Sequence, residues 1–164
     1  MKRSLLFALG FLAVITLLVS CTQVFTPAPE VRVTSIDPLG WVASSPLDSV
    51  SILKVDFTSD NSVEGVIRKM SLDINDSRLP DSISARYPKV IADGLYHIVP
   101  PSPSSSSIIN IPLPVTDVLQ WMFTLPSNQL PATLYVNFIF EGEDAYGEGK
   151  EFRSDFSSWT LIRN

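Results

Sequence analysis

Apolar and polar residues alternate along this chain in short bursts, separated by proline, glycine and serine. In VRVTSI, residues 31–36, Val31, Val33 and Ser35 fall on one side and Arg32, Thr34 and Ile36 on the other, before Asp37-Pro38-Leu39-Gly40 ends the run. VSILKVDF, residues 50–57, sets Leu53, Val55 and Phe57 opposite Ile52, Lys54 and Asp56. GVIRKMSLDI, residues 65–74, sets Val66, Arg68, Met70, Leu72 and Ile74 opposite Ile67, Lys69 and Ser71. Successive side chains leave a strand on opposite faces, so a period of two marks strands with one buried face. LYHIV (95–99) and SIINIPL (107–113) are shorter runs of the same kind, and PPSPSSSS between them is too polar and proline-rich to be more than a loop. The last unit is the clearest. Leu134, Val136, Phe138 and Phe140 share a face, a turn with Gly142, Gly147 and Gly149 follows, and Phe152, Phe156, Trp159 and Leu161 lie on a returning strand. VTDVLQWMF, residues 115–123, departs from the pattern. Val115, Val118, Leu119, Met122 and Phe123 recur at helical spacing, and Asp117 with Gln120 has the layout of a capping box, although alternation through Leu119, Trp121 and Phe123 fits almost as well. The expectation is an all-β fold, an antiparallel β-sandwich with one short crossover helix. Thirteen scattered prolines leave little room for longer helices.

The first twenty residues follow another pattern. Lys2 and Arg3 precede an apolar run from Leu5 to Val19, broken only by Gly10 and Thr16. As a helix this run reaches about 22 Å, short of a bilayer core of roughly 30 Å. It also lacks the polar face of a helix packed on a soluble domain. A basic start, a short apolar middle and a small residue at the end are the layout of a secretory signal peptide. The run ends in Leu18-Val19-Ser20-Cys21, which resembles the lipobox of bacterial lipoproteins. The resemblance implies cleavage after Ser20, diacylglycerol on the Cys21 thiol and an N-acyl chain (palmitate or similar) on its freed amine, with no other cofactor. Cys21 is the only cysteine, so the lipid accounts for an otherwise unpaired thiol in an exported protein. Three segments follow: a removed signal at 1–20, the lipidated cysteine and a flexible tether at 21–30, and a single domain at 31–164. In the tether TQVFTPAPE, Pro27 and Pro29 favour an extended chain. Export ends at a cell membrane or an outer membrane, with the domain facing periplasm or exterior. In a cell with two membranes, Thr22 in place of a retention aspartate favours the outer one.

Charge narrows the partners. Removing residues 1–20 from the 164 leaves 144, enough for one domain with a core. Lys2 and Arg3 leave with the signal, so ten basic residues face seventeen acidic ones, a net charge of −7. Nucleic acid, whose phosphates need a basic footprint, is excluded. Electrostatic adhesion to anionic headgroups is excluded on the same ground. Membrane attachment rests on the acyl chains, at about 0.8 kcal/mol per buried CH₂.

The stretches VSILKVDFTSDNSVEGVIRKMSLDI and LYVNFIFEGEDAYGEGKEF resemble strand pairs of bacterial immunoglobulin-like domains, in which a penultimate strand ends in Gly-x-Asp-x-x-Gly, here Gly142 to Gly147. The spacing has a physical sense: glycine permits positive φ, and aspartate can bond the turn backbone. IINIPLPV resembles, more distantly, the water-stress (late-embryogenesis type 2) β-sandwich. The first resemblance implies an immunoglobulin-like sandwich that binds or spaces. Neither supplies a catalytic residue.

Candidate chemistry is sparse. His97 is the only histidine, and no Gly-x-Ser-x-Gly elbow accompanies the many serines. Glu141, Glu143, Asp144 and Glu148 crowd a glycine-rich turn whose hard oxygens suit calcium, as do Asp73, Asn75, Asp76 and Asp81. Paired carboxylates also serve glycosidases. Trp41, next to Leu39-Gly40, is the tryptophan expected in an exposed loop and the candidate for a ligand platform; Trp121 and Trp159 suit a core. The reading favoured is a non-enzymatic lipid-anchored envelope protein, binding or spacing a protein or glycan partner. A carboxylate-based hydrolase and a calcium-stabilised adhesion module are the alternatives.

Overall fold

The computed structural model describes residues 26–126, 128 and 132–164. The signal segment, Cys21 and Thr22 lie outside the described residues. The period-two runs become strands in two sheets. β1 (Val31–Asp37), β3 (Ser51–Ser59) and β6 (Ser106–Pro112) form one, in the order β1-β3-β6. β2 (Gly40–Ala43), β8 (Glu151–Arg163), β7 (Ala132–Asp144), β4 (Gly65–Asp73) and β5 (Lys89–Val99) form the other, in that order. The expected all-β fold is present, but the strands are not antiparallel throughout. β2 runs parallel to β8, with Trp41 opposite Leu161, because only Pro38 and Leu39 separate β1 from β2 and the chain changes sheet without reversing. Gly40 allows this approach: a Cβ there would lie 2.5 Å from Thr160 Oγ1 and 2.8 Å from Thr160 O.

One apolar core lies between the sheets. Leu134, Val136, Phe138 and Phe140 are all essentially inaccessible, as their alternation predicts. The Phe57 ring meets Phe140 edge-on at 4.9 Å, joining the sheets, and Phe138 meets Trp159 the same way at 5.7 Å. Burial of the indole is made tolerable by a hydrogen bond from Trp159 Nε1 to Pro38 O at 2.8 Å.

Strict alternation fails at three places. Leu53, expected inside with Val55 and Phe57, is 53% exposed, and Ile52 is buried in its place. The burial phase slips at Leu53–Lys54 and at the facing Ile109–Asn110 while the register between the two strands is kept, and Asn110 takes a positive φ of 56°. A register shift between Ile67 and Lys69 turns Ile67 inward with Met70, Leu72 and Ile74, and leaves Arg68 outside. Phe156 and Trp159, an odd step apart, both reach the inner face because two residues of β8, Ser157 and Ser158, oppose one of β7, Asn137. Gly142, expected in the turn, sits inside β7. A Cβ there would lie 2.0 Å from Val66 O and 2.7 Å from the Phe152 ring.

The crossover helix forms as α2 (Thr116–Met122), burying Val118, Leu119 and Met122 on the way from one sheet to the other. Its capping box does not form. Val115 occupies the N-cap and has no oxygen to offer, and Asp117 instead accepts from Tyr87 OH at 3.2 Å and from its neighbour's N–H. A second helix, α1 (Asp81–Ser84), precedes β5. Ser106 and Ser107 belong to β6 rather than to the loop before it. Residues 26–30, read as tether, lie along the domain. Asn61 Nδ2 bonds Ala28 O at 2.8 Å, Asp60 N bonds Glu30 O at 2.9 Å, Lys150 bonds Thr26 O, and Pro29 is buried. The rest of the expected tether, residues 21–25, lies outside the described residues. Among the described residues no helix is long and apolar enough to cross a membrane.

Candidate functional site on the five-stranded sheet

Outward positions of the second sheet carry charges that pair across strands. Arg153 of β8 stands opposite Glu141 of β7, Glu141 opposite Lys69 of β4, and Lys69 opposite Asp93 of β5. The result is one rung of alternating sign across four strands, with Lys69 Nζ 2.9 Å from Glu141 Oε2. Opposite charges placed across a sheet attract, and each such exposed pair contributes at most about 1 kcal/mol. The bulge at Arg68 sets a second pair beside the rung. Its guanidinium lies 2.8 Å from Glu143 Oε1 and 4.8 Å from the centre of the Tyr96 ring, which is 67% exposed. Arg153 also bonds Asp155 at 3.2 Å, and that hydrogen bond raises its pKa further. The charges of the rung and the Arg68–Glu143 pair, with Phe152, border an open cleft of about 630 Å³.

The acidic turn is divided among different tasks. Glu141 belongs to the rung, Glu143 pairs with Arg68 beside it, and Glu148 pairs with Lys150 at 2.8 Å. Asp144, only 3% exposed, accepts the N–H groups of Tyr146, Glu148 and Lys150 at 2.8–3.0 Å. Burial alone would push its carboxyl up, but the three donors together hold it below the usual carboxylate range. The positive φ of Gly147 and Gly149 lets the turn wrap around this one carboxylate. Among the described residues no three His, Cys, Asp or Glu side chains are grouped to hold a metal ion. In the second acidic cluster Asp76 is engaged by Arg78 at 2.7 Å. Excess calcium should therefore leave the melting temperature unchanged. A site filled at a hundred times its dissociation constant would add about 2.7 kcal/mol, a rise on the order of 5–10 °C, and a scan showing that would restore the calcium alternative.

No known family model matches the chain, and a search of curated proteins finds no match.

His97, on β5, meets Ser106 of β6 at 2.9 Å from Nε2, and its burial lowers the imidazole pKa. The carboxylate on the adjoining strand is elsewhere. Asp56 accepts from Ser107, the next residue along β6, and from Ser35 at 2.6 Å, with Lys54 at 2.8 Å. Lys54 first, then the two hydroxyls, lower its pKa to about 2. Ser106 and Ser107 point to opposite faces, so histidine and aspartate are each given a serine and are not joined into one system. Trp41, expected in an exposed loop, lies in β2 and packs half-buried against the core. Of the sequence candidates, the structure brings Glu141 into the charged rung and Glu143 into the pair beside it, and sets the others apart. Arg68, Lys69, Asp93 and Arg153 were not anticipated; each is one outward charge on a strand, and only the register makes them neighbours.

Proposed function

We propose that this chain is exported, lipidated on Cys21 and held at an envelope membrane, where an immunoglobulin-like β-sandwich binds or spaces a protein or glycan partner without enzymatic activity. The observation that carries the reading is Leu18-Val19-Ser20-Cys21 at the end of a short apolar segment with a basic start. The strand order supports the domain type: β1-β3-β6 stand where strands A, B and E stand in the immunoglobulin fold, and β8-β7-β4-β5 where G, F, C and C′ stand. The outer face supports recognition over catalysis, because its charges pair with one another around an open cleft instead of converging on one point.

Cys21→Ala should abolish acyl incorporation and leave uncut precursor in the membrane fraction. Intact-mass spectrometry of the wild-type mature chain should show Cys21 as its first residue, carrying diacylglycerol and acyl mass. A mature chain without that mass overturns the proposal.

A further inference from the structure

The position of Thr26 constrains how such a protein sits on its membrane. Thr26 to Glu30 are fixed to one end of the domain, through Lys150 at the β7–β8 turn and Asn61 at the β3–β4 turn. That end also carries the β5–β6 loop, since Ser59 N bonds Pro100 O at 2.9 Å and Ser102 N bonds Ser59 O at 2.8 Å. Five residue steps separate Cys21 from Thr26, a span of at most roughly 18 Å. The thirteen residues of β7 make the domain about 43 Å long in the strand direction. The leash is shorter than the body it holds, and it is attached at an end.

We infer that the end formed by residues 60–64, 100–105 and 145–150 faces the lipid surface and rests on it through Tyr146, with the helix-bearing end pointing away. The inference rests on the lipidation of Cys21 proposed above. Tyr146 is the large aromatic at the tip of the β7–β8 turn and is 63% exposed; its backbone N–H is held by Asp144, so the ring is presented by a fixed turn. Tyrosine suits the headgroup level, with an apolar ring and a polar tip. The neighbouring charges are largely closed on themselves: Glu148 with Lys150 at 2.8 Å, and Arg32 with Asp60 at 2.7 Å. Glu30 and Glu64 add negative charge, so the contact depends on the anchor and the ring and not on attraction to anionic lipid.

The test uses the full-length lipidated protein in phosphatidylethanolamine–phosphatidylglycerol vesicles containing nitroxide-headgroup lipid. Acylation blocks the Cys21 thiol, so Tyr146→Cys, and separately Ser82→Cys on α1, each offers one site for an environment-sensitive fluorophore. The label at 146 should shift to the blue and be quenched by the nitroxide lipid; the label at 82 should keep its aqueous emission. If the protein floats with the vesicles and the 146 label stays aqueous, or the 82 label is quenched as strongly, the end-on placement is wrong and the lipidation stands. If the protein does not float, the anchor itself is wrong and the placement falls with it.

Discussion

Phe138→Ala should lower the unfolding free energy by about 3–5 kcal/mol, a large part of the stability of a domain this size. The ring is wholly inaccessible, stands edge-on to Trp159 at 5.7 Å and occupies the inner face of β7 between Val136 and Phe140. Removing it leaves a cavity that the two sheets cannot close without breaking the register on either side of β7, and no disulfide is available to limit the loss. Glu143→Ala, five residues along the same strand on the outer face, should cost less than about 1 kcal/mol, because it removes one half-exposed ion pair and leaves Arg68 over Tyr96. Urea melts of both variants measure the contrast. Equal losses would show that the inner face of β7 has been assigned wrongly.

Asp144→Ala should be the most damaging change in the β7–β8 turn, at about 2–4 kcal/mol, since three backbone donors lose a charged acceptor and water near the turn replaces it only in part. Asp144→Asn keeps an acceptor and should lose less. The pH dependence has a definite sign. The folded carboxyl titrates below its unfolded value, so its contribution is complete above the usual aspartate pKa of about 3.9 and is lost as pH falls through the folded value. Asp56 acts in the same direction, over the interval from about 3.9 down to about 2. Wild-type stability should therefore fall on acidification from pH 5 to pH 2, and Asp144→Asn should show a shallower fall. An unchanged slope would mean that the turn does not depend on the ionised carboxylate.

These two sites show what the chain discloses by itself. The alternation of residues 134–140 is readable because one core receives every second side chain, and Gly-x-Asp-x-x-Gly is readable because its hydrogen bonds are local. At Arg68 the expected face is wrong because a bulge is fixed by two strands together and one strand's pattern holds only half of that information; at Leu53 it is wrong because the burial of β3 changes phase where it faces Asn110 and its positive φ. β2 is four residues long and has no period to detect. The outer rung is assembled from residues 69, 93, 141 and 153, whose proximity exists only once four strands are in register.

The fixing of residues 26–30 also decides how the molecule bears load. Tension between the N-terminal segment and the far end of the domain runs along the strands, while the hydrogen bonds joining them lie across it. Such a pull must shear many bonds at once. It cannot open them singly from one edge, so a domain held by this end is loaded in its stiffest direction.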